Sequence, residues 1–240
     1  MLTIKNLKVL IDKKEILNDF NFSFEKGKIY VLMGPNGSGK STLVLALAGH
    51  PDYSLGKKSR ISFKKKNLKG LTPEKRARLG LFLSFQSPLS LAGVSVFQLL
   101  RSSLNGKVDP LILFEKIRQL AKKLKIREEL LTRSLNEGFS GGERKKMEIL
   151  QAGILNPDFL IFDEIDTGVD VDNLKVIASF LKSLKKDGKT ILLITHYNRI
   201  LKQLKPDRVL ILVDGRLIKS GDYRLAKEIE KNGYEKIYIT

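Results

Sequence analysis

Nine consecutive residues, Gly34-Pro35-Asn36-Gly37-Ser38-Gly39-Lys40-Ser41-Thr42, constrain this chain more than any other feature. They follow the apolar run KIYVLM, which reads as a strand, and open STLVLALAG, which reads as a short buried helix stopping at Gly49. A glycine-rich turn between a strand and a helix lets backbone N–H groups converge on phosphate oxygens, and the helix N-terminus adds a favourable dipole. In that setting Lys40 reaches the β- and γ-phosphates of a nucleoside triphosphate, and Ser41 offers a hydroxyl to Mg2+. All nine residues are candidate nucleotide contacts.

A second signal lies more than a hundred residues on. Phe159-Leu160-Ile161-Phe162 reads as a buried strand that ends in two acids, Asp163 and Glu164. Asp163 at the strand end is suited to hold Mg2+, directly or through water, and Glu164 to polarise an attacking water. Around these motifs strand and helix patterns alternate. ILNDFNFSFEKGKIYVLMG gives two strands joined at Glu25-Lys26-Gly27, RISFKKKN alternates as a strand, and Thr72-Pro73 marks a helix start. GLFLSF is a short buried strand, and the pattern is helical from Pro88 to about Leu155, with Asp109-Pro110 opening one amphipathic helix. FLIFDEI, DNLKVIASFLKSLKK, TILLITH, NRILKQL and RVLILV then restore the alternation; Asp214-Gly215 makes a hairpin turn and the helix RLAKEIEKNG stops at Gly233. That order predicts an α/β fold with a largely parallel sheet, a small antiparallel β-unit and a helical insertion.

Composition narrows the class. With 42% apolar and 29% charged residues the chain is of ordinary globular type. No run approaches the roughly 18 apolar residues of a membrane span, and MLTIKNLKVLIDKKEIL lacks the apolar block of a signal peptide. The absence of cysteine excludes a disulfide, a thiolate nucleophile and a Cys-ligated metal. The net charge is +18, and residues 57–78 hold ten basic residues and one acid. Only Phe63 interrupts that run, so no base-stacking surface is suggested; a solvated face is expected, and no specific nucleic acid partner.

Ser140-Gly141-Gly142-Glu143 taken alone is a helix cap. Placed after a helical insertion and before an acid-tipped strand, it resembles the signature of ATP-binding cassette (ABC) ATPases. The resemblance extends to Gln86 after LFLSF, Asp170 in the loop after Glu164, and His196 closing LLITH. It implies a P-loop ATPase that takes ATP and Mg2+. Gln86 joins Ser41 and Asp163 on the metal, Glu164 and His196 are catalytic, and Ser140, Gly141, Gly142 and Asp170 contact nucleotide. An imidazole at His196 could donate to phosphate and accept from water, whereas His50 lacks such a context and is read as structural.

The flanks GLFLSFQSPLSLAGVS, FDEIDTGVDVDNLKVIA and GRLIKSGDYRLAKEIEKNGYE resemble the SufC family, the soluble ABC ATPases of SUF iron–sulfur cluster assembly, from about Leu2 to Tyr234. That resemblance implies a single ABC ATPase domain over 1–240, with an α/β nucleotide lobe from 1–86 and 156–240 and a helical insertion at 87–155. It implies SufB/SufD-type scaffold partners, a transient homodimer on ATP binding, and residence in the cytoplasm or, in an organelle, the plastid stroma. Because Gln86 joins the apolar stretch Phe85–Leu104 to the metal site, the partner is expected to dock on that stretch. Two alternatives remain open: the ATP-binding subunit of an ABC membrane transporter, and a nucleic-acid-associated ABC ATPase. The stretch Leu7–Ile11 holds no aromatic residue to stack on adenine. In the signature helix, Lys145 is expected to form a salt bridge with Glu164 when no partner is bound.

Overall fold

The structure, a computed structural model, describes residues 1–195 and 198–234; of Asn198 only the backbone is described. The chain runs β1 (Leu2–Ile11), β2 (Lys14–Phe24), β3 (Ile29–Met33), α1 (Lys40–Ala48), β4 (Ser54–Leu55), β5 (Arg60–Phe63), β6 (Lys66–Asn67), α2 (Pro73–Arg78) and β7 (Leu81–Ser84). It continues through β8 (Leu91–Ser95), α3 (Val96–Ser103), α4 (Pro110–Lys123), a 3-10 turn at Glu128–Leu131, β9 (Ser134–Leu135) and α5 (Gly141–Leu155). It closes with β10 (Phe159–Asp163), α6 (Val171–Lys186), β11 (Thr190–Ile194), α7 (Asn198–Leu204), β12 (Arg208–Val213), β13 (Arg216–Gly221) and α8 (Tyr223–Asn232).

A six-stranded sheet, ordered β13-β12-β3-β11-β10-β7, forms the centre. It is parallel from β12 to β7, and β13 returns antiparallel through the Asp214-Gly215 turn. Its inner strands are buried on both faces, which is why they read as unbroken apolar runs. Alternation still sorts their side chains. Ile29, Val31, Met33, Leu160 and Phe162 face one apolar cluster, shared with α3 to α8. Tyr30, Leu32, Phe159 and Ile161 face another, shared with α1 and the first strands. The helical segment is thus packed into the same cluster as one face of the sheet.

The antiparallel unit is a five-stranded sheet, β2-β1-β5-β6 with β4 against β1. The chain crosses from it to the parallel sheet at Glu25-Lys26-Gly27. RISFKKKN is a hairpin, not one strand: Lys64 and Lys65 adopt φ of +49° and +65° and turn β5 into β6. The insertion is not wholly helical either, since β8 and β9 pair within it. Thr72 caps α2 with Pro73 in the first turn, as its sequence predicts. Of the ten basic residues of 57–78, all are exposed except Arg76.

Candidate nucleotide site

The site forms where β3, β7 and β10 end, at the carboxyl edge of the parallel sheet, the position at which such sheets bind ligands. Residues Gly34–Gly39 leave β3 and enter α1. Gly37 and Gly39 have φ of +78° and +99°, values that favour glycine. A Cβ on Gly34 would lie 2.0 Å from the Leu212 carbonyl oxygen, so only glycine fits against β12. The Ser38 hydroxyl is buried among these backbone groups with no hydrogen-bond partner among the described residues. An orphaned hydroxyl in a glycine cradle at a helix N-terminus suits a phosphate oxygen.

Lys40 is 7% exposed, and its ammonium donates to the carbonyls of Gly34 and Pro35 at 2.9 and 2.8 Å. Burial pushes its pKa down, and the carboxylates of Glu164 and Asp163 oppose that shift. The Asp163 carboxyl is pushed up by burial and then by the Glu164 charge, while the nearby Ser41 hydroxyl, Lys145 and Lys40 oppose that shift. A cavity of about 220 Å³ is lined by Ser41, Gln86 and Asp163, with Val44, Leu45 and Phe85 among its apolar walls. All three expected metal-binding residues therefore line one hollow, and their hydroxyl, amide and carboxylate oxygens are the hard donors that Mg2+ takes.

Glu164 follows β10 directly with φ +51°, a left-handed conformation uncommon for a side chain of this kind. Its N–H donates to the Ile194 carbonyl at 2.9 Å, and its carbonyl accepts the Thr167 N–H at 3.2 Å. The Gln86 side-chain amide donates to its carboxylate at 2.9 Å. The backbone carbonyl of Gln86 accepts the Lys145 ammonium at 2.7 Å. Lys145 and Glu164 form no ion pair within 4.0 Å, contrary to expectation; the ammonium, 6% exposed, reaches the Gln86 backbone instead and lies in the field of Glu148, Asp163, Glu164 and Asp166. Burial pushes the Lys145 pKa down despite those acids.

Ser140 caps α5 in a reciprocal box with Glu143: its hydroxyl accepts the Glu143 N–H at 3.3 Å, and its own N–H donates to the Glu143 carboxylate at 2.8 Å. Arg127 braces Glu143 at 2.8 Å. Around the Cβ positions of Gly141 and Gly142 there is open space to 4 Å, leaving that helix end clear on its outer side. Among the described residues no hydrogen bond joins Ser140–Gly142 to Gly34–Thr42 of the same chain. Asp170 caps α6, accepting the Asn173 N–H at 2.8 Å, and is exposed. The expected catalytic His196 lies outside the described residues. Asp166 carried no role in the sequence reading, yet it is 7% exposed and accepts the Thr195 hydroxyl at 2.7 Å, tying the loop after Glu164 to the end of β11. Its place in the run DEID beside the apolar strand was the only available signal.

Comparison with known proteins matches this geometry. The sequence model of the ABC transporter family covers residues 17–167. The chain is 43% identical to the "Probable ATP-dependent transporter SufC" of Escherichia coli, over 98% of this chain and 97% of that protein. It is 44% identical to the "Probable ATP-dependent transporter ycf16" of Cyanophora paradoxa, over 98% and 93% of the two chains. The chain belongs to the SufC family of ABC ATPases. An Arabidopsis thaliana member, "ABC transporter I family member 6, chloroplastic", is 40% identical over 99% of this chain and 73% of its own length. A nucleotide-free ATP-binding cassette of an ABC transporter superposes with a TM-score of 0.80 at 26% identity, covering 100% and 99% of the two chains. The SufC-family fold is thus a P-loop NTPase of ABC ATPase type, it binds ATP or ADP, and the protein is an ATPase.

Proposed function

We propose that this ATPase drives conformational change in a SufB/SufD-type scaffold during iron–sulfur cluster assembly, hydrolysing ATP at the interface of a head-to-tail homodimer. One observation carries the reading: Gln86 is held from two directions at once. Its side chain meets Glu164 at the hydrolytic centre, and its backbone meets Lys145 of the signature helix. The segment beginning there exposes Phe85 by 46% and Leu89 by 72%, an apolar surface beside the nucleotide site. A partner seated on that surface would sense nucleotide through Gln86, and would shift α5 through Lys145.

In this reading Lys40 exchanges its two loop carbonyls for the β- and γ-phosphates, and the Ser38 hydroxyl gains its missing partner. Ser41, Gln86 and Asp163 would hold Mg2+, which would supply positive charge against the phosphate oxygens. Glu164 orients the attacking water, so that ATP and water give ADP and phosphate. The open N-terminus of α5 at Ser140–Gly142, with Asp170, completes the site of a second copy, since it meets no phosphate loop within its own chain. Wrapping ATP between two chains excludes water and couples hydrolysis to their separation.

The word "chloroplastic" in one relative's name supports residence in a plastid, and the word "transporter" in several raises a transporter role. Among the described residues no helix is long and apolar enough to cross a membrane. Co-expression with SufB/SufD-type scaffold proteins tests the reading: a soluble complex with ATPase activity above that of the chain alone is expected. Co-purification with a membrane permease instead would refute it.

A further inference from the structure

The last described residue, Tyr234, lies 200 positions from the phosphate loop in sequence and touches it in space. α8 is seated by Leu225, Ala226 and Ile229, which join the apolar cluster that also holds β3 and β12. Gly233 then takes φ +71°, with its N–H on the Ile229 carbonyl at 2.9 Å, and the chain turns sharply back. The Tyr234 ring packs on the same cluster, and its phenol oxygen accepts the Gly34 N–H at 3.1 Å.

Gly34 is the hinge between β3 and the phosphate cradle. It is buried, its carbonyl takes the Lys40 ammonium, and β12 closes off the space where a side chain would stand. Its N–H sits at a buried position and finds its partner in the Tyr234 phenol, two residues beyond α8. Burial pushes the Tyr234 pKa up while the Gly34 bond opposes it, which keeps the hydroxyl neutral at physiological pH.

We propose that Tyr234 is a positioning residue for nucleotide binding: by holding the Gly34 N–H it keeps the phosphate loop in its binding shape before ATP arrives. A loop ordered beforehand loses less conformational freedom when it closes on phosphate. The phenol meets the loop at the Gly34 N–H, where β3 ends, and not at Lys40, Ser41, Asp163 or Glu164, so it acts on affinity and not on the chemical step. The same bond makes α8 a strut between the end of the chain and the loop. By linkage, bound nucleotide steadies α8 as much as α8 steadies the loop. This rests on Gly34–Thr42 being the ATP site.

Tyr234→Phe keeps the ring and deletes only the hydroxyl. Titration with ATP and with ADP is expected to show both dissociation constants rising about fivefold to tenfold, the equivalent of one net hydrogen bond. The turnover number at saturating ATP is expected to stay within about twofold, because the chemical step is untouched. Unchanged affinity, or reduced turnover at unchanged affinity, overturns the proposal. A second measurement needs no variant: amide exchange of Gly34 in the native protein without nucleotide. Strong protection is expected, and exchange at the rate of an open amide overturns the proposal. Failure of the unaltered chain to bind ATP at all would instead remove the ATP site on which the inference stands.

Discussion

Arg76 is the one residue of the basic segment that turns inward, and replacing it should cost more stability than any other change in that run. It is 4% exposed and has no carboxylate partner among the described residues. Its guanidinium donates to Ala46 and Leu47 at 2.7 and 2.8 Å and to Leu71 at 3.0 Å. Two of these acceptors are final carbonyls of α1, the helix whose other end forms the phosphate site. The cation therefore caps that helix where its dipole is negative. Burial alone pushes the Arg76 pKa down, which marks the desolvation that these bonds must offset. In Arg76→Met the Ala46 carbonyl retains the Gly49 N–H at 3.2 Å, while Leu47 and Leu71 lose the donor shown here. Two unsatisfied buried carbonyls at about 1–2 kcal/mol each, less the relief of not burying a charge, give a loss of about 2 kcal/mol. For a chain of this size that lowers Tm by about 4–8 °C. Urea denaturation should show the loss as a lower midpoint at unchanged slope. Arg76→Lys, with one compact ammonium for separated acceptors, should recover about half. A Met variant within about 0.5 kcal/mol of the parent would refute the capping argument.

Lys40→Ala should abolish both ATP binding and hydrolysis, whereas Glu164→Gln should bind ATP and reduce turnover by about 10³-fold, as read by equilibrium titration and phosphate release. Unchanged turnover in Glu164→Gln would remove Glu164 from the mechanism. Leu89→Asp should weaken scaffold binding and spare nucleotide affinity. Leu91→Asp should lower stability as well, because Leu91 packs against the main apolar cluster, and melting curves beside a pull-down would separate the two. Burial alone would raise the Asp207 pKa, but Lys185, the Ile29 N–H and Lys28 outweigh it and hold the carboxyl below its usual range. A depressed carboxylate stabilises the fold above its unfolded pKa and loses that contribution as pH falls through the folded one. Asp207→Asn should therefore cost about 1–2 kcal/mol at pH 7, with the difference closing below about pH 4. An equal deficit at both pH values would contradict that assignment.

The parts of the fold legible in the sequence were those with local causes. Gly49 ends α1 in a left-handed conformation, Pro73 starts α2, and Asp214-Gly215 turns β12 into β13, each through a residue whose backbone preference is intrinsic. What escaped has non-local causes. Lys64 and Lys65 take left-handed turn conformations that lysine does not favour, so tertiary pairing with β1 imposes the hairpin. β8 and β9 meet across a gap of some forty residues, with an irregular register and no alternation to betray them. The motif residues at the site could be found because glycines, acids and an apolar strand announce themselves in order. Their supporting contacts could not. Nothing in GGERKKMEIL distinguishes the lysine that reaches Gln86, and nothing in the basic run marks Arg76 as buried. The expected Lys145–Glu164 pair failed for a physical reason: a carbonyl lay within reach of the ammonium, and Gln86 already occupied one side of the carboxylate.

The central claim is that one chain holds only half of each hydrolytic site. Mixing Lys40→Ala with Ser140→Arg tests it most directly, since each variant alone should be inactive for a different reason. In a mixed dimer one site combines the intact phosphate loop of the Ser140 variant with the intact α5 terminus of the Lys40 variant. At equal concentrations half the dimers are mixed and each carries one working site, so ATPase activity should return to about a quarter of the parent rate under conditions that favour the dimer. No recovery, with both variants folded and associating, would contradict the shared site; full activity of Ser140→Arg alone would place the whole reaction within a single chain.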